Sequence, residues 1–158
     1  MAATPTTSVT REEFSERLLS GSVKKSYAPA VDIDWDAPID PDKYFLPPRM
    51  VTLYGTPAWD GMTREQQIEL SRQELVNILS AGIWFENILN QALLRDLMHK
   101  NPTASTTHYA LTELGDETRH MVMFGKTIDR IGGVPVRPRL SSSISTTPRI
   151  RIEPRPVR

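Results

Sequence analysis

Cysteine is absent from the 158 residues of the chain. Its absence excludes disulfide scaffolds, Cys-ligated zinc, iron–sulfur clusters and thiol catalysis together. It also suits a reducing compartment, and the cytoplasm is the expected location. Net charge is missing as well, because 19 basic and 19 acidic residues cancel. No overall field therefore draws the chain to nucleic acid or to an anionic membrane. No apolar run approaches the roughly 18 residues of a spanning helix. The start, Met1-Ala-Ala-Thr-Pro-Thr-Thr7, has neither the basic cluster nor the apolar stretch of a signal peptide. These absences leave a soluble domain of ordinary size, or part of a larger one.

What is present falls into three parts. Residues 1–26 are a polar lead with one short helix, opened at Thr10 with Glu13 three residues on, the pattern of a capping box. Residues 134–158 carry six Arg from Arg137 onward against one acid, Glu153. That tail has no helical period and is punctuated by proline, so it is expected to be disordered. No aromatic residue interleaves its arginines, which argues against a single-strand nucleic-acid binding segment.

Between them lies 27–133. Its first section contains Pro29, Pro38, Pro41, Pro47, Pro48 and Pro57, which forbid a long helix. Trp35, Tyr44, Phe45, Tyr54 and Trp59 are spread among those prolines and suggest an ordered arm wrapped on a core. Thr63-Arg-Glu-Gln66 is a second capping box, and the helical pattern then runs without proline to about Lys100. Asn101-Pro102-Thr103 breaks it. A second helix is expected from about Ser105 to Ile131, stopped by Gly132-Gly133 and Pro135. Two long helices joined by a short turn make an antiparallel hairpin. The expected class is all-α.

Two carboxylates interrupt the apolar faces of that hairpin. On the first helix Leu75, Leu79, Gly82, Ile83, Leu89, Leu93 and Leu97 share one broad face, with Glu86 at its centre. On the second the face is Leu111, Leu114, Met121, Phe124, Ile128 and Ile131, with Glu117 among them and His120 one turn beyond. An unpaired buried carboxylate costs several kcal/mol or takes up a proton, and no Lys or Arg shares these stripes. Glu86 lies 16 residues before Pro102 and Glu117 lies 15 after it, so both sit roughly 23 Å from the turn at about 1.5 Å per residue. They face each other at one level. A Glu opposite a Glu-x-x-His is the half-site of a carboxylate-bridged di-iron or di-manganese bundle. Carboxylates bridge metals and change binding mode, while the imidazole adds a neutral ligand from the same side of the helix. The structural alternative is a hydrogen-bonded Glu–His pair in the core, which leaves one carboxylate unpaired.

Other candidates are set aside. Glu74 is placed facing solvent and Glu113 at the rim; Asp116 is expected to form a surface ion pair with Arg119 or His120. His108 is expected to be solvated and His99 structural. Gly125-Lys126-Thr127 echoes the end of a P-loop, but that motif needs Gly where His120 stands.

Four blocks in order carry a resemblance over about residues 27–135: Asp32 to Pro48, Leu53-Tyr-Gly-Thr-Pro-Ala-Trp59, Ile83-Trp-Phe-Glu86 and Ala110 to Met121. They resemble the N-terminal part of the p-aminobenzoate N-oxygenase type of di-iron oxygenase. The resemblance implies a ferritin-like bundle whose two irons activate O₂, with a small aromatic amine as the other substrate. It puts the first-helix metal ligand on Glu86 and the first Glu-x-x-His on Glu117 and His120. Family members continue through two further ligand-bearing helices, whereas the matching blocks stop near Gly133. The chain thus looks like the N-terminal half of such an oxygenase, supplying three of six or seven ligands. Two copies about a two-fold axis would supply four Glu and two His. Three expectations follow: a truncated di-iron oxygenase-like protein completed by a complementing fragment, a non-enzymatic metal-binding or iron-oxidising homodimer, or a metal-free fragment that docks its apolar stripe on another helical protein.

Overall fold

The computed structural model describes residues 9–25 and 27–137. All regular structure among them is helical: α1 (Arg11–Lys24), α2 (Pro29–Asp32), α3 (Pro57–Asp60), α4 (Arg64–Leu97) and α5 (Ser105–Arg130), with a 3-10 turn at Pro48–Met50. The protein is all-α, as its sequence pattern requires. The basic segment expected to be disordered lies outside the described residues from position 138 on.

Both capping boxes form. Thr10 Oγ1 accepts from Glu13 N at 3.2 Å and Thr63 Oγ1 from Gln66 N at 3.3 Å, with the Glu13 and Gln66 side chains reaching back to the cap backbone. α5 ends as its two glycines demand. Gly132 takes φ +65°, its N–H donates to Asp129 O, and Gly133 N donates to Ile128 O at 2.8 Å. This is a Schellman turn, which an L side chain at Gly132 would strain. Arg72 then clips the end of α5 to α4, donating to the Ile131 and Gly132 carbonyls at 2.9 and 2.8 Å while pairing with Glu69.

α4 and α5 form the expected antiparallel hairpin. On these helices Val76 and Ile128 are buried together with Ser71, Ser80, Asn90 and Thr107. Small and polar residues there let the helices approach closely, at the cost of little apolar burial. Leu89 and Leu111, placed on the apolar faces by periodicity, are instead 38% and 48% exposed. Each helix of a hairpin has one long neighbour, so only the centre of a broad stripe is covered and its flanks stay open.

The proline-rich arm packs as its aromatics suggest. Leu46, Val51 and Trp59 form a buried cluster with Tyr44, Leu53, Leu70 and Leu75 around it. The Tyr44 hydroxyl donates to Gln67 Oε1 at 2.7 Å and Phe45 N to Ser71 Oγ at 3.0 Å, fixing the arm to α4. Glu74, placed in solvent by its position on the helical wheel, instead accepts from Thr52 N with both oxygens at 3.0 Å. An orphan backbone N–H in the arm needed an acceptor, and Glu74 supplies it. The first helix is more than a polar lead, because α1 packs along α5. Glu12 and Glu16 accept from Thr106 and Ser105 there.

Candidate metal centre

The antiparallel packing of α4 and α5 brings three side chains together. One ligand atom from each of Glu86, Glu117 and His120 lies within 4.8 Å of the other two. His120 Nδ1 is 2.8 Å from Glu117 Oε2, an i,i+3 contact along α5. Glu86 meets them from α4. Glu117 is the more enclosed partner, its side chain 19% exposed against 45% for His120.

Electrostatics single out Glu86. Burial raises its pKa above the ordinary 4.5, and the Glu117 carboxylate raises it further by accepting its proton and by like charge, with His120 opposing. Two carboxylates held this close repel each other when both are charged, and a cation between them relieves that repulsion. Two hard oxygen donors with one imidazole suit iron or manganese, so the residues fit the metal that the resemblance implies.

The raised value has a sign that can be measured. A folded-state pKa above the unfolded one means that the native protein holds a proton the unfolded chain releases. Glu86 therefore contributes stability that is full below 4.5 and is lost as pH rises through the raised value. Thermal unfolding of metal-free protein should show a decline across that window, and Glu86→Gln should flatten it. A decline of unchanged size in Glu86→Gln would assign the proton elsewhere.

The neighbours set aside on sequence have ordinary roles. Asp116 pairs with Arg119 one turn on. His108 is exposed and its Nε2 lies 2.9 Å from the Pro102 carbonyl oxygen, within the turn. Glu113 bonds the Tyr109 hydroxyl, whose pKa it raises.

One feature has no sequence signal. A cavity of about 450 Å³ lies beside the cluster, lined by Ser22, Lys25, Tyr27 and Pro29 on one wall and by Glu113, Glu117, His120 and Met123 among others on α5. It exists because α1 and the segment after it fold back on α5, more than eighty residues away in sequence.

A Glu on one helix facing Glu-x-x-His on an antiparallel neighbour is half of the ligand pattern of carboxylate-bridged di-metal helical bundles. More specifically, the chain belongs to the p-aminobenzoate N-oxygenase AurF family, a di-iron oxygenase family, whose model matches residues 8–154. That match is wider at both ends than the motif blocks and runs past Gly133, where they stop. Uncharacterized proteins of Mycobacterium bovis and of Mycobacterium tuberculosis are each 31% identical to the chain over 132 residues, which cover 80% of this chain and 39% of theirs. The match therefore spans about two fifths of the length of these curated relatives. No solved structure matches. Among the described residues, no helix is long and apolar enough to cross a membrane.

Proposed function

We propose that Glu86, Glu117 and His120 ligate iron as one half of a di-iron site, and that the site serves O₂-dependent oxidation of a small aromatic amine once the ligand set is complete. The observation that carries this is the convergence of two carboxylates from facing helices with a histidine one turn on, all within 4.8 Å. Bound iron would supply the chemistry of O₂ reduction. Manganese satisfies the same donors.

The residues of this chain have definable parts in that function. Glu86 gives up its proton as a cation enters, so binding strengthens with pH. Glu117 has one oxygen against the imidazole and stands between His120 and Glu86, where it would be able to ligate a cation. His120 turns Nδ1 toward Glu117, and that nitrogen would be the neutral ligand once its proton moves to Nε2. The adjoining cavity has the volume of a small-molecule site, and Tyr27, Pro29 and Met123 give it apolar surface for a single aromatic ring. Its polar edge opens on Glu117 and His120. Absence of cysteine fits a cytoplasmic setting for such an enzyme.

Three ligands are half of what two irons need. The remaining helices of the family bundle would complete the set as a complementing segment. A second reading, in which two copies of this chain close the site as a homodimer, draws on the exposed Trp84, Phe85 and Ile88 on α4 beside Glu86. In either case metal binds the folded hairpin and not the unfolded chain. Anaerobic Fe(II) at about a hundred times its Kd should therefore raise the melting temperature by roughly 5–10 °C. Glu117→Ala should melt at one temperature with and without Fe(II). An equal Fe(II) shift in wild type and Glu117→Ala would place the iron elsewhere.

A further inference from the structure

We propose that Phe124, seated against α4 because Gly82 has no side chain, fixes the plane of the His120 imidazole so that Nδ1 stays turned to the two carboxylates. The inference rests on the ligand role proposed above for His120.

His120 needs such a device. Its side chain is 45% exposed, and a half-open imidazole on a helix surface turns about its last torsion at little cost, since that torsion is broad. The contact with Glu117 chooses between the two ring flips, since a half-turn presents carbon in place of Nδ1, but it leaves the plane of the ring free to rock. Phe124 lies one turn further along α5. Its ring stacks on the imidazole with centroids 6.2 Å apart and planes 21° from parallel, an offset arrangement that favours one orientation of the pair.

Phe124 occupies that place only because of what stands across the seam. A Cβ on Gly82 would lie 2.9 Å from Phe124 Cε2 and 3.2 Å from Cδ2. Real Cβ atoms do not come so near, so any other residue there would push the ring off its seat. Gly82 is also one turn before Glu86 on α4. The same two turns of hairpin thus hold a ligand from each helix and the aromatic wedge between them. Glycine in a helix interior is destabilising relative to alanine. The close seating of Phe124 is a reason to keep it. Phe124 and Gly82 are positioning residues and touch no metal.

The test uses the full chain with ¹⁵N-labelled histidine at pH 8, first without metal. In wild type and Phe124→Tyr, the His120 ring nitrogens should show one dominant tautomer with the proton on Nδ1, where it donates to Glu117. In Phe124→Leu and Gly82→Ala both tautomers should be populated, with the helical circular dichroism of wild type in each. Fe(II) affinity, measured anaerobically, should fall about tenfold or more in Phe124→Leu, as it does when groups orienting a metal-bound histidine are removed. It should recover in Phe124→Tyr. A folded Phe124→Leu that keeps the single tautomer, or binds Fe(II) as tightly as wild type, overturns the proposal. If wild type binds no Fe(II) but its tautomer still depends on Phe124, the ligand reading fails and the positioning stands.

Discussion

Replacing Glu86 by alanine should weaken Fe(II) binding by more than about a hundredfold, beyond the loss caused by substitutions in the surrounding shell. Glu86 is the one residue of α4 in the cluster, so its loss leaves two neighbours on one helix. Two ligands three residues apart on one helix hold a divalent ion weakly. The same substitution should leave the metal-free protein at least as stable as wild type at pH 8, since it removes a carboxylate that burial and Glu117 both disfavour in its charged form. Isothermal titration with Fe(II) and thermal unfolding of the same preparation read both halves. Loss of stability together with loss of binding would mean that Glu86 is a structural residue of the seam.

The second large effect is expected far from the cluster. Trp59→Ala should cost about 3–5 kcal/mol, the range for truncating a buried large aromatic side chain. Trp59 is 6% exposed, packs edge-on against Tyr54 at 5.7 Å and tilted against Tyr44 at 6.1 Å, and its carbonyl accepts from Gln67. It is the centre of the buried apolar cluster that joins the arm to α4. Few large apolar side chains of the two long helices are fully buried, so the arm carries a large share of the stability. Chemical denaturation should show a midpoint well below wild type with no early loss of α4 alone. A shift under 1 kcal/mol would show that the arm merely decorates a self-sufficient hairpin.

The long helices and their ends were legible in the sequence, because each boundary has a local cause: Thr63 with Gln66, Pro102 in the turn, Gly132 at φ +65°. The cluster was legible for a different reason. Glu86 and Glu117 stand where the helical period requires apolar residues, and nearly equal distances from Pro102 set them level. What stayed hidden depends on contacts between distant segments. Nothing local in Glu12 or Glu16 announces a bond to the start of α5, and the cavity beside His120 follows from that docking. Glu74 was misplaced for a related reason. A helical wheel shows which way a side chain leaves its helix, but not that a backbone N–H of the arm waits there. Gly82 was visible as part of the apolar face, while its partner Phe124 emerged only when the two helices were brought together.

Two further contacts extend this lesson to the arm. Lys126 Nζ sits 4.5 Å above the Trp35 ring, and Arg130 donates to the Trp35 and Ala37 carbonyls at 2.7 Å. These cations near the C-terminal end of α5 hold the start of the arm across the hairpin, so the arm touches both long helices. The aromatics foretold packing, and the basic residues of α5 set where it happens.

The central claim is that three side chains of this chain form half of a di-iron site. The most direct measurement is iron bound per chain after anaerobic Fe(II) loading and desalting, on size-exclusion fractions whose mass is known from light scattering. One iron per chain, found in assemblies of two chains or in complex with a complementing segment and lost in Glu86→Ala, is the predicted result. Protein that is folded and of defined mass, yet holds no iron above the Glu86→Ala level, would contradict it.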